Sequence, residues 1–295
     1  MMATITAADV NKLRTITGAG MMDCKKALVE ADGDFDLAIE NLRKKGQKVA
    51  ANRSDRESTE GAAIAAVNAS KTAGAVITLN CETDFVAINA DFIAFADSIA
   101  TIALEKNAKT KEEILTLPYN GDITVGDKFM EQVGKIGEKI DVVKYEIVEA
   151  ANLVAYIHGA NRLGVLVALN NEPTEANFVA GKDAAMQVAA LNPVAVDKDG
   201  VDATTIEREL EIAKEQIRAE GKPENMIEKI AQGKLAKFYK DSTLLNQEFV
   251  KDGSLTVAQM LDKAENMPGK WQLLIYLGQQ SILKMQEEAK ENQAS

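Results

Sequence analysis

A carboxylate and a large aromatic side chain stand together directly after an apolar run, in residues 80–86 (NCETDFV). The run, residues 75–79, is predicted to form a strand and residues 90–104 a helix, so residues 80–86 connect the two. Because loops on rigid scaffolds often carry function, we interpret the Asp84-Phe85 pair as an exposed surface that inserts into a partner. The alternative is that Phe85 folds back and packs the following helix against the sheet, while Asp84 caps that helix or faces water.

Residue types that support catalysis are scarce. His158 is the only histidine, so any Ser-His-Asp or Cys-His arrangement must use it, and no Gly-x-Ser-x-Gly motif occurs. No Walker phosphate loop or Gly-x-Gly-x-x-Gly fingerprint is present either. Cys24 and Cys81 match no zinc or redox spacing, and we interpret both as reduced thiols that pack in the core. The sequence therefore predicts no metal, no cofactor and no chemistry of its own. One enzymatic alternative pairs Cys81 with His158, and it requires both side chains within hydrogen-bond reach.

The overall charge restricts the partners. The chain has 34 Lys and Arg against 45 Asp and Glu, a formal charge of −11, which argues against binding a polyanion over a broad surface. A basic cluster at residues 43–48 could contact phosphate, but the charged end of a helix explains it equally. No run of about 18 apolar residues and no signal-peptide pattern occurs. We therefore expect a cytoplasmic protein that contacts neither nucleic acid nor a membrane directly.

The N-terminal part is predicted to form three short helices. Glycines end the first helix, and the second covers residues 22–30. The third begins at Asp34 or Asp36 and ends before Gly46. Residues 49–61 are charged and lack a strand pattern, which is typical of a linker or of a fraying helix.

Beyond the linker the chain repeats itself at an offset of 90 residues. Each copy predicts a strand, a turn, a strand, a loop and a helix. Because a hairpin needs further elements to bury its apolar face, we predict two pseudo-equivalent α+β subdomains with antiparallel strands. The matching positions are Ile64-Ala65-Ala66-Val67, Gly74, Val76, Leu79-Asn80 and Glu82 in the first copy, and Val154-Ala155-Tyr156-Ile157, Gly164, Leu166, Leu169-Asn170 and Glu172 in the second.

Two further patterns follow the repeat. Residues 205–220 and 224–239 each carry an apolar seam at helical spacing and are joined by Gly-Lys-Pro, which predicts an antiparallel helical coiled-coil hairpin. Residues 271–277 predict a strand, and a C-terminal helix is expected from Ser281.

This order of parts closely resembles the family of bacterial elongation factors Ts. The resemblance rests on residues 17–28 (TGAGMMDCKKAL), on residues 80–86, and on His158-Gly159 in a hairpin turn, and it covers nearly the whole chain. It implies an α+β fold with a ubiquitin-associated-like (UBA-like) module at the N-terminus. The implied regions are the three-helix UBA-like module 1–48, the linker 49–61, core subdomain N 62–145, core subdomain C 146–204 and 243–281, the coiled-coil hairpin 205–242 and the C-terminal module 282–295.

The resemblance also implies a function. Members of this family promote the release of GDP from elongation factor Tu, a GTPase, so that GTP can bind during protein synthesis. A guanine nucleotide exchange factor of this kind needs no cofactor, because its partner holds the nucleotide and the magnesium ion. The alternative is a scaffold or chaperone-like partner of the GTPase without exchange activity. Exposed subdomain sheets also favour association. A homodimer and a 2:2 complex with the GTPase are therefore both alternatives to a simple 1:1 complex.

The site residues are implied by the same resemblance. Residues Thr83, Asp84, Phe85 and Val86 resemble the family segment that intrudes near the partner's magnesium site. Because Mg²⁺ bridges nucleotide phosphates and protein oxygens, moving its ligands weakens the binding of metal and GDP together. We interpret Phe85 as an apolar wedge and Asp84 as the polar group that pairs with the displaced partner side chains. The further partner contacts that the resemblance implies are Arg14, Met21, Met22, Ile136, Gly137, His158 and Gly159. Core packing is the alternative for Met22 and Ile136, and for His158 it is a surface turn without a role.

Overall fold

A computed structural model describes residues 4–265 and 273–277 of the chain. It combines helices with small antiparallel sheets, which confirms the predicted α+β fold class. The described residues divide into two compact units. The first falls within Met1–Ala66, Ala75–Ile147 and Gly159–Arg162, and the second within Val67–Gly74, Val148–His158 and Leu163–Ser295.

The first unit begins with three helices, α1 (Ala7–Thr17), α2 (Met21–Glu30) and α3 (Phe35–Asn52). Thr6 and Asp9 form a reciprocal capping box at the start of α1, and Gly18 ends that helix in the left-handed region at φ 69°. The apolar faces of the three helices pack on one another around Leu13, Cys24 and Leu28, which are fully buried. The three predicted helices are thus confirmed.

The rest of the first unit is a three-stranded sheet with helices packed on it. The central strand of the sheet order β1-β2-β5 is β2, and eight of its nine residues are buried. The main core contains Ile77, Leu79, Phe92, Phe95 and Ile99. The elements are β1 (Glu60–Val67), β2 (Ala73–Cys81), α4 (Asp84–Ala87), α5 (Ala90–Glu105), α6 (Lys111–Thr116), β3 (Pro118–Asn120), β4 (Ile123–Thr124), α7 (Val125–Ile136) and β5 (Asp141–Glu149).

The predicted end of the third helix before Gly46 is wrong, because α3 continues to Asn52. The glycine is used for packing: α3 crosses α7 so closely that a Cβ built on Gly46 would lie 1.9 Å from the carbonyl oxygen of Met130. Gly134 of α7 faces Gly46 across the crossing. Glycine inside a helical pattern marks a close approach here, not a helix end.

The second unit repeats the strand, turn, strand, loop and helix of the first, as predicted. Its sheet has the order β10-β7-β6, with antiparallel pairing that places Asn152 and Leu273 on either side of Leu169. The core includes Val154, Val167 and Val188. The elements are β6 (Asn152–His158), β7 (Leu163–Leu169), α8 (Glu175–Leu191), α9 (Ala203–Ala219), α10 (Glu224–Ser242), β8 (Glu248–Phe249), β9 (Asp252–Thr256), α11 (Val257–Glu265) and β10 (Leu273–Leu277).

The predicted helical hairpin is formed by α9 and α10. Its seam buries Ala213 and Ile217 of α9 against Ile227 and Ala231 of α10. The predicted helix from Ser281 and the C-terminal module lie outside the described residues. Within the described part of the chain, no helix has both the length and the apolar character needed to cross a membrane.

Candidate functional site

The Asp84-Phe85 pair lies on α4, a single helical turn that follows β2 after two residues. Asp84 is exposed, and Phe85 is 80% exposed. The alternative in which Phe85 folds back on the sheet is therefore wrong. Ile88, one residue past α4, is also exposed, so this turn presents a small apolar surface next to a carboxylate. Burial of such a phenylalanine in a partner is worth about 1.5–3 kcal/mol.

Thr83 and Val86, the first and last residues of the 83–86 segment, contact the rest of the first unit. Val86 is half-buried and packs against the core of the first unit. The Thr83 hydroxyl does not cap α4 but donates to Glu138 Oε1 at 2.7 Å. The segment thus divides into an outer pair, Asp84 and Phe85, and an inner pair that holds it.

Glu138, two residues past the end of α7, accepts hydrogen bonds from residues 82 and 83. These two residues lead into α4, and we call them its root. Glu138 Oε2 accepts hydrogen bonds from the Glu82 and Thr83 N–H groups, each at 3.1 Å. In return, the Glu82 carboxylate accepts a hydrogen bond from the Lys139 N–H at 2.7 Å. Residues 82–83 and 138–139 therefore exchange carboxylate-to-backbone hydrogen bonds, and we call these four residues the carboxylate clasp.

The clasp extends into the segment that was predicted to be a linker. Arg53 Nη1 donates to both carboxylate oxygens of Glu82, at 2.8 and 2.7 Å. The Lys139 ammonium donates to the carbonyl oxygens of Ser54 and Arg56 at 2.8 and 2.9 Å. Arg53 is therefore bound to Glu82, and Ser54 and Arg56 are bound to Lys139, so this segment contacts both halves of the clasp.

The charge on Glu82 is stabilised by these contacts. Burial alone would raise the pKa of this carboxyl, but the hydrogen bonds from the Lys139 N–H and the Arg53 guanidinium outweigh it. The pKa of Glu82 therefore lies below its ordinary value, and the carboxylate is ionised at neutral pH. Glu82 thus remains an acceptor for Lys139 and Arg53 at neutral pH.

Cys81 is fully buried at the end of β2, and its thiol donates to the carbonyl oxygen of Thr83 at 3.2 Å. Burial, reinforced by the negative charge of Glu138, raises the pKa of this thiol to about 12. A protonated thiol is a poor nucleophile, so the structure gives no support to the enzymatic alternative that pairs Cys81 with His158.

We expect both cysteines of the native protein to resist alkylation by iodoacetamide at neutral pH. Cys24 is also fully buried, and burial raises the pKa of its thiol as well. Because the thiolate is the reactive form, labelling should remain slow until the chain unfolds. Mass spectrometry should detect two added groups after unfolding in guanidinium and none before. Rapid labelling of native Cys81 would contradict the packing role.

The predicted contacts in the N-terminal helices lie at the surface. Met22 is 75% exposed and Met21 is 52% exposed, so the core-packing alternative for Met22 is wrong. Ile16 is exposed as well, and Arg14 is exposed on the same helix, α1. The start of α2 and the end of α1 therefore present apolar side chains that can adapt to a partner surface.

Ile136 and Gly137 end α7 next to the clasp. Ile136 is half-buried and packs against the core, which matches its alternative interpretation. Gly137 adopts a left-handed conformation at φ 78°, and a Cβ there would meet open space. Glu138 is the next residue, so the left-handed turn at Gly137 places the chain where Glu138 can join the clasp.

His158 ends β6 in the second unit and is exposed. Its Nδ1 lies 2.9 Å from the Tyr156 hydroxyl. The next three residues all have positive φ: Gly159 at 60°, Ala160 at 54° and Asn161 at 66°. Asn161 stabilises this turn, because its carbonyl oxygen accepts a hydrogen bond from the Ala63 N–H at 2.7 Å.

Sequence reasoning missed the contributions of Arg53, Glu82 and Glu138. Their partners are distant in sequence, 29 residues for Arg53 with Glu82 and 56 for Glu82 with Glu138. The sequence did contain a signal for two of these residues. Glu82 directly follows a buried strand, and Glu138 directly follows the glycine that ends α7. No group of three or more His, Cys, Asp or Glu side chains that could hold a metal occurs in the described ranges.

Comparison with known proteins gives consistent matches. The family model described as elongation factor TS matches residues 82–279. A protein named elongation factor Ts from Flavobacterium psychrophilum is 62% identical over 257 residues, which cover 87% of this chain and 92% of that protein. The protein of the same name from Christiangramia forsetii is 58% identical over 257 residues, with the same coverage. That from Clostridium botulinum is 43% identical over 269 residues, which cover 90% of this chain and 88% of that protein.

Proposed function

The chain belongs to the elongation factor Ts family, and on this premise we propose that it is the guanine nucleotide exchange factor for elongation factor Tu. In this role it binds the GDP-loaded GTPase during translation elongation, promotes the release of GDP and so allows GTP to bind. The observation that supports the proposal is the exposed Asp84-Phe85 pair on a turn whose root is fixed by the carboxylate clasp.

The proposed mechanism is a linkage between two binding equilibria. Phe85 enters the partner beside its magnesium site, and Asp84 pairs with the partner side chains that are displaced. An exchange factor accelerates release only if it binds the nucleotide-free partner more tightly than the loaded one. An exposed, apolar side chain on a fixed turn suits this task, because it does not need to leave a core or become ordered before it binds.

The energy required exceeds what one side chain supplies. Weakening the affinity for GDP by a factor of about 1,000 requires roughly 4 kcal/mol of coupling. Burial of Phe85 provides about 1.5–3 kcal/mol. We propose that the remainder comes from the other predicted contacts, above all the exposed methionines Met21 and Met22 and the exposed His158.

The chain performs no covalent chemistry in this proposal. The six regions predicted from the sequence remain our proposed division of the chain. The first three helices support an N-terminal helical module, although α3 continues to Asn52, past residue 48, and the α9–α10 hairpin supports the coiled coil.

The proposal is tested by the release of a fluorescent GDP analogue from elongation factor Tu in excess unlabelled nucleotide. At a small molar fraction of the chain, we expect every partner molecule to release its GDP faster, because an exchange factor is recycled when new nucleotide binds. A scaffold would bind stoichiometrically and leave the release rate unchanged. The absence of acceleration at any ratio would contradict the proposed function.

A further inference from the structure

The α4 turn cannot maintain its own orientation. It has four residues, Asp84–Ala87, and an isolated helical turn of this length is unstable in water. Its N-cap residue, Thr83, makes no side-chain capping bond. The orientation of Phe85 must therefore be set by contacts outside the turn.

The hydrogen bonds among these contacts share one acceptor, the Glu138 carboxylate. Glu138 accepts three hydrogen bonds at the root of α4, from the Glu82 N–H, the Thr83 N–H and the Thr83 hydroxyl. Two of its bonds go to one oxygen and the third to the other. An ionised carboxylate can accept all of them, whereas an amide of the same shape has one oxygen acceptor and one nitrogen donor.

The Thr83 hydroxyl is used for this contact at the expense of a cap. A threonine before a helix usually accepts a hydrogen bond from a backbone N–H of the first turn. Here it donates to Glu138 at 2.7 Å. This bond joins the start of α4 to the segment between α7 and β5.

From this geometry we infer that Glu138 and Thr83 are positioning residues for nucleotide exchange: their hydrogen bond holds α4 in the orientation that projects Phe85 into the partner. The inference rests on the proposed exchange function and assigns no partner contact to either residue. It also revises the role of Thr83, which the family resemblance groups with the partner-binding residues.

The test compares Glu138→Gln, Thr83→Val and the double variant with the native chain. Thr83→Ser keeps the hydroxyl, and Glu105→Gln removes an exposed carboxylate at the end of α5, so both serve as matched controls. Each variant is measured in three ways: GDP release at saturating chain, affinity for nucleotide-free elongation factor Tu, and amide hydrogen exchange of residues 82 and 83.

We expect each single variant to slow GDP release about tenfold, the effect of losing a hydrogen bond to a charged group. The double variant should be no slower than Glu138→Gln, because Glu138→Gln already disrupts the bond from the Thr83 hydroxyl that Thr83→Val removes. The amides of Glu82 and Thr83 should exchange faster in Glu138→Gln, while the midpoint of thermal unfolding stays close to that of the controls. Affinity for the nucleotide-free partner should fall less than the release rate.

Two results would overturn the inference. Amides that stay protected in Glu138→Gln would show that the bonds do not hold the turn, and faster amide exchange with an unchanged release rate would show that the orientation is irrelevant to exchange. A native chain without any exchange activity would instead overturn the proposed function, and the amide measurement would still decide whether the clasp holds α4.

Discussion

Replacement of Phe85 by alanine is expected to slow chain-stimulated GDP release from elongation factor Tu about 30-fold, the cost of losing an interface contact of about 2 kcal/mol. The side chain is 80% exposed, so its removal should leave the unfolding free energy of the chain almost unchanged. An effect on exchange without an effect on folding is the expected signature of a side chain whose partner is another molecule. Stopped-flow fluorescence of labelled GDP measures the release rate.

Val143→Ala is the matched control for this variant. Val143 is an exposed apolar residue of the same unit, on β5, and no role at the partner surface is proposed for it. The Asp84→Ala/Phe85→Ala double variant should be slower still, because Asp84 is proposed to pair with displaced partner side chains. Equal release rates for the native chain and Phe85→Ala would exclude the wedge, even if the chain is an exchange factor.

The largest effect on stability is expected for Gly46→Ala. The new Cβ would lie 1.9 Å from the carbonyl oxygen of Met130, and backbone atoms cannot give way as a flexible side chain can. The helices α3 and α7 must therefore separate. Overpacking of this kind costs about 1–3 kcal/mol, and a clash with backbone places the expected loss in the upper part of that range. Denaturant unfolding followed by circular dichroism measures it.

Gly233→Ala provides the control for Gly46→Ala. Gly233 also lies inside a helix, α10, but a Cβ there has nothing within 4 Å. Because alanine is a better helix former than glycine, this change should raise the unfolding free energy by up to about 1 kcal/mol. The two substitutions are chemically identical and should have opposite signs. Equal effects would contradict the close crossing of α3 and α7.

Local patterns in the sequence predicted most of the fold. Apolar spacing located the three N-terminal helices, both copies of the hairpin with its helix, and the α9–α10 seam. It failed at Gly46, because a glycine within a helical pattern has two meanings that only the neighbouring helix can separate. The same residue type ends α1 at Gly18, where a left-handed turn is needed.

The site was predictable in part. The position of residues 80–86 between a strand and a helix indicated an exposed loop, and Phe85 is indeed exposed. Spacing gave no indication that Thr83 and Val86 turn inward. The clasp was out of reach for a stronger reason, because the contacts of Glu138 with residues 82 and 83 join positions more than 50 residues apart in the chain. Such pairings depend on the tertiary structure and leave no periodic signal.

The central claim is that the chain drives GDP release by binding preferentially to the nucleotide-free partner. Two affinities test this claim most directly. The affinity of the native chain is measured for nucleotide-free and for GDP-loaded elongation factor Tu at the same magnesium concentration. We expect tighter binding to the nucleotide-free form, by the same factor by which the chain weakens the affinity of the partner for GDP. Equal affinities for the two forms would contradict the claim.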